Sequence, residues 1–383
     1  MRTARRTHGF TESVIRGMTR LANEHNAINL SQGFPNFPCP DVLKEAAARA
    51  IRDDVNQYAI TWGAKHLRDA LARKYDEWYG MAVNPQTEIT VTCGATEAMA
   101  SALLGVVNPG DEVVVFEPFY ENYGPDAILC DARPVFVPME AAKPLDLDRL
   151  AAAFGPRTRA IIVCTPNNPT GRVLTRAELE AIADLCRRHD AYAVTDEIYE
   201  HIYYEGEHIP IATLPEMAER TITISGASKT FSVTGWRIGT IVAPPDLTGA
   251  IRKVHDFLTV GAPAPLQEGV AVALETLGDD YYESLTRDYR RRRDILCSGL
   301  DKAGFKCQPP EGAYYVIADF SGLSDLADDK FAEWLTIEHG VATVPGSSFC
   351  SRPELGRSWI RFAFCKTEEM LKAAVDKLAR VRD

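Results

Sequence analysis

The middle of the chain alternates short strand-like runs with stretches of helical spacing. The β-branched runs EITVTC, DEVVVFE, AIIVCT, AYAVTDE and TITIS are separated by segments such as RAELEAIADLCRRHD, whose apolar residues recur at helical intervals. Strands that follow one another through helices need crossover connections, and these produce a mostly parallel sheet with helices on both faces. The sequence therefore predicts an α/β fold with a mixed, mostly parallel sheet between helices.

A change of character after about residue 281 predicts a second, smaller α+β domain. The long charged stretch YYESLTRDYRRRRDILCSGLDKAG has helical spacing, and mixed strand-like and helix-like segments follow it. We place the large domain at 39–281 and assemble a discontinuous small domain from 1–38 and 282–383. A chain of 383 residues is long enough to bury more than one core.

Composition and charge argue against several classes of function. The formal net charge of −11 disfavours general nucleic-acid binding, which needs a basic face. No run approaches the roughly 20 apolar residues of a membrane-spanning helix, and no apolar run follows MRTARRTHGF, so neither a membrane anchor nor a signal peptide is expected. The nine cysteines form no C-x-x-C pair, so we expect no metal site and reduced thiols in a cytoplasmic protein.

The stretch SGASKTFSVTGWRIG, at 225–239, contains a lysine that could bind a phosphate or perform chemistry. A P-loop would need glycines at the positions of Thr223 and Ser228, and both differ. Lys229 follows the apolar run TITI, and burial beside strand ends lowers the pKa of a lysine and makes its amine nucleophilic. On this stretch alone, a solvated surface lysine remains an alternative.

Side chains that a pyridoxal 5′-phosphate cofactor requires are found at the ends of predicted strands. This cofactor needs a carboxylate at its ring nitrogen, donors to its phenolic oxygen, a phosphate site and an aromatic ring against its face. The candidates are Asp196 and Tyr199 in TDEIY, Asn168 in NNPTG and Arg237 in GWRIG. Carboxyl ends of parallel strands are where such sheets bind ligands. Each residue alone could belong to a turn, a helix cap or a surface ion pair, but together they favour the cofactor.

The motifs NNPTG, TDEIY and SKTFSVTGWRIG together resemble the class I and II aminotransferases of fold type I, which use pyridoxal phosphate. The resemblance extends from INLSQGFPNFPCP to IRFAF, nearly the whole chain. SQGFPNFPCP, NQYAITWG and EPFYENY are most similar to the kynurenine, glutamine and methionine aminotransferase branch. The resemblance implies ping-pong transfer of an amino group from an L-amino acid to a 2-oxo acid.

The resemblance implies roles for five residues around the cofactor ring. Lys229 is expected to bond covalently to the cofactor aldehyde and to act as general base. Asp196 is expected at the pyridine nitrogen, and Asn168 with Tyr199 at the phenolic oxygen. Tyr120 in EPFY is expected to stack on the ring. In relatives the prolines that match Pro118 and Pro169 follow cis peptide bonds, so we predict the same here.

The resemblance also implies a phosphate site. Arg237 and the backbone N–H groups of Ala95 and Thr96, at a predicted helix start, are expected to bind the phosphate. Many relatives carry a phosphate-binding serine three residues before the lysine, where this chain has glycine. Ser225, Ser228 or a backbone N–H could take its place, and we prefer Ser225.

The remaining assignments from the resemblance concern substrate and subunit contacts. Arg361 in IRFAF and Gly33 in SQGF are expected to bind the substrate α-carboxylate, with Asn168 beside them, because guanidinium suits planar bidentate pairing. Tyr58 in NQYA is expected to reach the phosphate of the neighbouring subunit. The resemblance therefore implies a homodimer with shared active sites.

The nature of the substrate side chain is less constrained. No secure candidate exists for the second arginine that dicarboxylate-specific relatives use, and Phe34, Trp62, Tyr120 and Phe349 could line an apolar or aromatic pocket. Large neutral donors such as methionine, glutamine, aromatic residues or kynurenine are therefore favoured over aspartate. An aspartate-type aminotransferase and a cysteine-conjugate C–S β-lyase, which would use the same lysine, remain alternatives. A transcription regulator with an aminotransferase-like module would need a DNA-binding domain, for which we expect too few residues before INLSQGF.

Overall fold

The computed structural model describes residues 3–382 of the chain. Its strands are β1 (Ile28–Asn29), β2 (Ile89–Thr92), β3 (Glu112–Glu117), β4 (Arg133–Pro138), β5 (Thr158–Cys164), β6 (Tyr192–Asp196), β7 (Thr221–Gly226), β8 (Gly239–Val242), β9 (Lys306–Cys307), β10 (Tyr315–Asp319), β11 (Val341–Ala342), β12 (Val344–Pro345) and β13 (Trp359–Ala363). Its α-helices are α1 (Val14–Glu24), α2 (Asp41–Arg52), α3 (Lys65–Tyr79), α4 (Ala95–Val106), α5 (Tyr123–Leu129), α6 (Leu147–Ala152), α7 (Arg176–His189), α8 (Ala227–Thr230), α9 (Pro245–Thr259), α10 (Ala264–Thr276), α11 (Asp279–Ala303), α12 (Asp328–Glu338) and α13 (Glu368–Leu378).

The largest sheet has seven strands in the order β2-β8-β7-β6-β5-β3-β4. The five strands from β7 to β4 are parallel to one another, whereas β8 pairs antiparallel with both β7 and β2. The predicted α/β fold with a mixed, mostly parallel sheet is therefore confirmed.

Both faces of this sheet are covered by apolar side chains, as the β-branched runs predict. Along β3, Val113 and Val115 pack into one core cluster with residues of α4 and α5. Val114 and Phe116 pack into another cluster with residues of α7. This alternation follows from the two-residue period of a strand, and it leaves the carboxyl ends of the strands as the place for polar groups.

A four-stranded sheet, β12-β13-β10-β9, forms a second structural unit with α11, α12 and α13. The N-terminal part of the chain joins this unit, because β1 pairs parallel with β11 and α1 packs on α12. The predicted division into 39–281 and a discontinuous small domain stays a prediction. Its boundary falls within the first turn of α11, and residues 1, 2 and 383 lie outside the described residues.

Three X-Pro peptide bonds within residues 3–382 are cis. Two of them, Glu117–Pro118 and Asn168–Pro169, were predicted, and the third, Thr165–Pro166, was not. All nine cysteines are free thiols. Within 3–382 no helix combines the length and the apolar character needed to cross a membrane.

Candidate active site

A cleft of about 1320 Å³ opens at the carboxyl ends of β5, β6 and β7, with elements of the small sheet on its other side. It brings together eleven of the thirteen residues predicted for the site: Gly33, Ala95, Thr96, Tyr120, Asn168, Asp196, Tyr199, Ser228, Lys229, Arg237 and Arg361. Ser225 and Tyr58 do not line it.

Lys229 is carried by the short helix α8, which begins directly after β7 ends at Gly226. Its Nζ donates to the carbonyl oxygen of Gly33 at 3.3 Å and lies 5.8 Å from the ring centroid of Tyr199. Burial lowers the pKa of Lys229 to about 8, an effect to which Arg237 and Arg361 add and which Asp196 opposes. With a pKa of about 8, roughly a tenth of this amine is neutral and nucleophilic at pH 7, far more than for an exposed lysine.

Asp196 is the last residue of β6 and is buried. The hydroxyl of Tyr123 donates to its Oδ2 at 2.6 Å, and the backbone N–H of Ile198 donates to its Oδ1 at 3.3 Å. Burial raises the pKa of Asp196, whereas these two hydrogen bonds oppose that rise. The carboxylate is thus held in a fixed orientation facing the cleft, where it suits a protonated ring nitrogen. Tyr123 was not identified from the sequence.

The start of α4 and the guanidinium of Arg237 form a cradle at another part of the cleft. Gly94, with φ of +84°, precedes α4, and a Cβ there would overlap the Arg237 guanidinium. A Cβ on Gly239 would overlap the backbone between Gly94 and Ala95. Because both positions are glycine, the backbone N–H groups at the start of α4 and the guanidinium of Arg237 can lie side by side. A helix N-terminus with a cation beside it favours a phosphate dianion.

The preference for Ser225 as a phosphate ligand is corrected by the structure. Ser225 is 2% exposed, and its hydroxyl donates to the carboxylate of Glu200 on the side of β7 away from the cleft. Ser228, which lies beyond the turn at Gly226, lines the cleft. Of the two serines that the sequence left open, only Ser228 is placed to contact a bound phosphate.

Arg361 projects from β13 and is completely buried. Its Nη1 donates to Oδ1 of Asn168 at 2.8 Å, and its Nη2 donates to the carbonyl oxygen of Ser31 at 2.6 Å. Its Nε is buried and has no hydrogen-bond partner among the described residues. The guanidinium lies 4.1 Å from the ring centroid of Tyr315. Such an aromatic wall and a free N–H suit a planar carboxylate.

Gly33 lies where three tyrosines converge. A Cβ at this position would overlap the hydroxyl of Tyr315, and Tyr314 donates its hydroxyl to the Gly33 carbonyl at 2.9 Å. Tyr199 donates its hydroxyl to the Tyr315 hydroxyl at 3.1 Å, and burial raises the pKa of Tyr199, which keeps this phenol protonated. Tyr314 and Tyr315 were not identified as site residues. Their only signal was membership of the strand-like run GAYYVIAD.

Two of the four aromatic residues predicted for the substrate pocket, Phe34 and Tyr120, line the cleft. Trp62 lies elsewhere, with its ring centroid 4.8 Å from the guanidinium of Arg252. Phe349 does not line the cleft, but its buried ring stacks on Trp359 and lies 4.7 Å from the Arg361 guanidinium. Phe349 therefore supports the site arginine from behind, whereas Trp62 does not line the cleft.

Arg16 on α1 is a fourth cationic side chain that lines the cleft, in addition to Lys229, Arg237 and Arg361. Its neighbour Glu12 pairs with a different arginine, and Arg16 forms no ion pair with any residue between 3 and 382. Nothing in the sequence singles out Arg16, because exposed arginines are common on helices.

The residues of the cleft fit pyridoxal phosphate, the cofactor that the resemblance implies. A buried carboxylate, a lysine of lowered pKa and a glycine-lined cradle with a guanidinium correspond to its ring nitrogen, aldehyde and phosphate. Asn168 and Tyr199 also line the cleft. The side-chain N–H of Asn168 and the Tyr199 hydroxyl, once it turns from Tyr315, are donors for a phenolic oxygen.

Comparison with known proteins agrees with this chemistry. The family model described as aminotransferase class I and II matches residues 25–378. The methionine aminotransferase of Escherichia coli is 38% identical over 374 residues, 96% of each chain. Kynurenine–oxoglutarate transaminase 1 of Homo sapiens is 36% identical, over 98% of this chain and 97% of that protein. The solved structure of N-succinyldiaminopimelate aminotransferase from Mycobacterium tuberculosis superposes with a TM-score of 0.96 at 39% identity, over 99% of this chain and 100% of that one.

Proposed function

The chain belongs to the class I and II aminotransferases, and we propose that it moves an amino group from a large neutral L-amino acid to a 2-oxo acid. It is an aminotransferase that depends on pyridoxal phosphate. The observation that carries the proposal is the meeting of a lysine of lowered pKa and a buried arginine in one cleft. Lys229 contacts the carbonyl of Gly33, and Arg361 contacts the carbonyl of Ser31 two residues earlier.

The residues that would hold the cofactor are Asp196 at the ring nitrogen, Asn168 and Tyr199 at the phenolic oxygen, Tyr120 against the ring, and Ala95, Thr96, Ser228 and Arg237 at the phosphate. When bound, pyridoxal phosphate attracts electrons from the substrate Cα and so makes the Cα–H bond acidic. The Lys229 amine, neutral in part near its pKa of about 8, is suited to removing that proton and returning it. Arg361 would orient the substrate through its α-carboxylate.

Large neutral donors are proposed because Phe34 and Tyr120 line the cleft, and because methionine and kynurenine appear in the names of similar proteins. The unpaired guanidinium of Arg16 favours a second candidate, in which one substrate carries a distal carboxylate. A dicarboxylic 2-oxo acid as acceptor satisfies both observations. A C–S β-lyase would use the same lysine without any acceptor.

We further propose a cytoplasmic homodimer. Tyr58 is 87% exposed and does not reach the cleft of its own chain. An exposed apolar surface lies near it: Phe257 is 91% exposed, and the helix that carries it contacts the 58–61 segment through a hydrogen bond from His255 to Thr61. A second copy of the chain would cover this surface and receive Tyr58. The nine free cysteines favour a reducing compartment.

The proposal is tested by borohydride reduction of the purified protein after incubation with pyridoxal phosphate, followed by peptide mapping. We expect the label on Lys229, and Lys229→Ala should take up no label there and show no turnover. A label on another lysine would refute the assignment. A panel of donors with several 2-oxo acids then tests the substrate. Release of pyruvate and ammonia from a cysteine conjugate without any acceptor would identify the lyase instead.

A further inference from the structure

A second polar cluster lies outside the cleft, on the other side of β7. Its centre is Glu200, which is 4% exposed and accepts hydrogen bonds from Lys74, Tyr79 and Ser225. None of these four residues lines the cleft. We call them the Glu200 cluster. A small cavity of about 30 Å³ lies beside Lys74, Glu200 and Ser225.

The charges of the Glu200 cluster keep its carboxylate ionised. Burial alone would raise the pKa of Glu200, but the ammonium of Lys74 holds it well below its ordinary value. The adjacent His201 stays neutral, because burial lowers its pKa to about 3. Glu200 is therefore a permanent acceptor for its three donors, and hydrogen bonds to a buried charge are stronger than those between neutral groups.

The cluster joins the two chain segments that carry the chemistry. Glu200 directly follows Tyr199, a proposed partner of the phenolic oxygen. Ser225 lies four residues before Lys229 and immediately before the turn at Gly226. The hydrogen bond from Ser225 to Glu200 therefore connects the end of β7, just before α8, to the segment that carries Tyr199.

Resting on the proposed function, we propose that Ser225 is a positioning residue. Its hydroxyl, held by Glu200, fixes the end of β7 and thereby sets where α8 presents the Lys229 amine. Loss of that hydroxyl lets the turn shift and moves Lys229 together with the adjacent Ser228. Arg237 and the backbone of Ala95 and Thr96, which make up the rest of the phosphate site, remain in place. Displacements of about 1 Å at such a group can cost up to roughly a hundredfold in rate.

The same strand provides a matched control. Thr223 lies two residues before Ser225 on the same face of β7, is 1% exposed, and its hydroxyl has no partner among the described residues. Thr223→Val removes a buried hydroxyl that has no hydrogen-bond partner among the described residues. Ser225→Ala removes a buried hydroxyl that donates to Glu200 and so fixes the turn.

The test compares Ser225→Ala, Ser225→Cys and Thr223→Val with the wild-type holoenzyme. Four quantities are measured: the cofactor dissociation constant, KM for the donor, kcat at saturating cofactor, and Tm. For Ser225→Ala we expect kcat to fall roughly tenfold with KM and the cofactor dissociation constant within about twofold. Ser225→Cys, which keeps a weaker donor of similar size, should lie between. Thr223→Val should match the wild type in kcat.

Three results would overturn the proposal. If Ser225→Ala weakens cofactor binding and regains full kcat at saturating cofactor, Ser225 serves the phosphate. If Tm falls while kcat is unchanged, its role is only structural. If Thr223→Val lowers kcat equally, the effect belongs to any change in the strand. Failure of the proposed function itself would show separately, as absence of transamination by the wild-type protein.

Discussion

Asp126 on α5 is a buried carboxyl whose replacement should stabilise the protein in a pH-dependent manner. Its side chain is 6% exposed, its Oδ2 has no hydrogen-bond partner, and it forms no ion pair within the part of the chain that the structure describes. Burial raises the pKa of Asp126 from its ordinary 3.8 to about 7. Above neutral pH the folded protein therefore carries an uncompensated buried charge.

The size of this effect follows from proton linkage. A carboxyl whose pKa is higher in the folded than in the unfolded state favours folding fully below the unfolded value, and that contribution is lost as the pH rises through the folded value. The interval from 3.8 to about 7, at about 1.4 kcal/mol per pKa unit, corresponds to about 4 kcal/mol over the whole range. Between pH 5 and 8.5 the loss is roughly 2.5 kcal/mol, because the unfolded carboxyl has already ionised in part at the lower pH.

Asp126→Asn removes the titration and keeps the shape. We expect the free energy of unfolding of this variant, relative to wild type, to rise by roughly 2.5 kcal/mol between pH 5 and pH 8.5. Urea unfolding of the cofactor-free proteins at one fixed protein concentration measures this difference. Any constant cost of the amide cancels, since only the change with pH is read. Asp131→Asn, which removes a half-exposed carboxylate five residues later, is the matched control. A difference for Asp126→Asn that is independent of pH would refute the reasoning.

Four further outcomes are expected. Arg361→Lys should lower kcat/KM about a hundredfold, ~3 kcal/mol, without weakening cofactor binding, because one ammonium cannot replace the planar pair of donors. In the cofactor-free protein, labelling of Lys229 by an amine reagent should rise through about pH 8, since burial lowers the pKa of Lys229 to about 8; mass spectrometry measures this against the exposed Lys143. Tyr58→Phe should raise the cofactor dissociation constant about tenfold while sedimentation still shows a dimer. Arg16→Gln should lower kcat/KM about tenfold for a dicarboxylic 2-oxo acid and leave a neutral one within about twofold.

The fold class could be predicted because buried parallel strands impose a visible pattern. All six residues of β3 are buried, and they read EVVVFE. The order of the strands could not be predicted, because a crossover of suitable length can place the next strand on either side. The antiparallel placement of β8 between β7 and β2 is one result that the sequence pattern leaves open.

The site residues that could be predicted are those whose type and position at a strand end are both unusual. Asp196 and Lys229 are of this kind. Tyr123 and Tyr314 were missed, because their roles arise from contacts between distant parts of the chain. Tyr123 contacts Asp196 across 73 positions, and Tyr314 contacts Gly33 across 281. The sequence around a tyrosine in an apolar run does not show which distant residue its hydroxyl will contact.

Ser225 shows how a strand end separates two functions that the sequence places side by side. Ser225 and Ser228 are hydroxyl residues three positions apart, and the sequence-based preference for Ser225 as the phosphate ligand is wrong. The two-residue period of β7 puts Ser225 on the face of Thr223, toward Glu200, and the turn at Gly226 then brings Ser228 and Lys229 to the cleft. A lysine that exchanges protons with a substrate must face the cleft and must be attached to a rigid segment. The turn at Gly226 meets both needs: it directs Lys229 into the cleft, and it follows Ser225, whose buried hydroxyl donates to the charged carboxylate of Glu200.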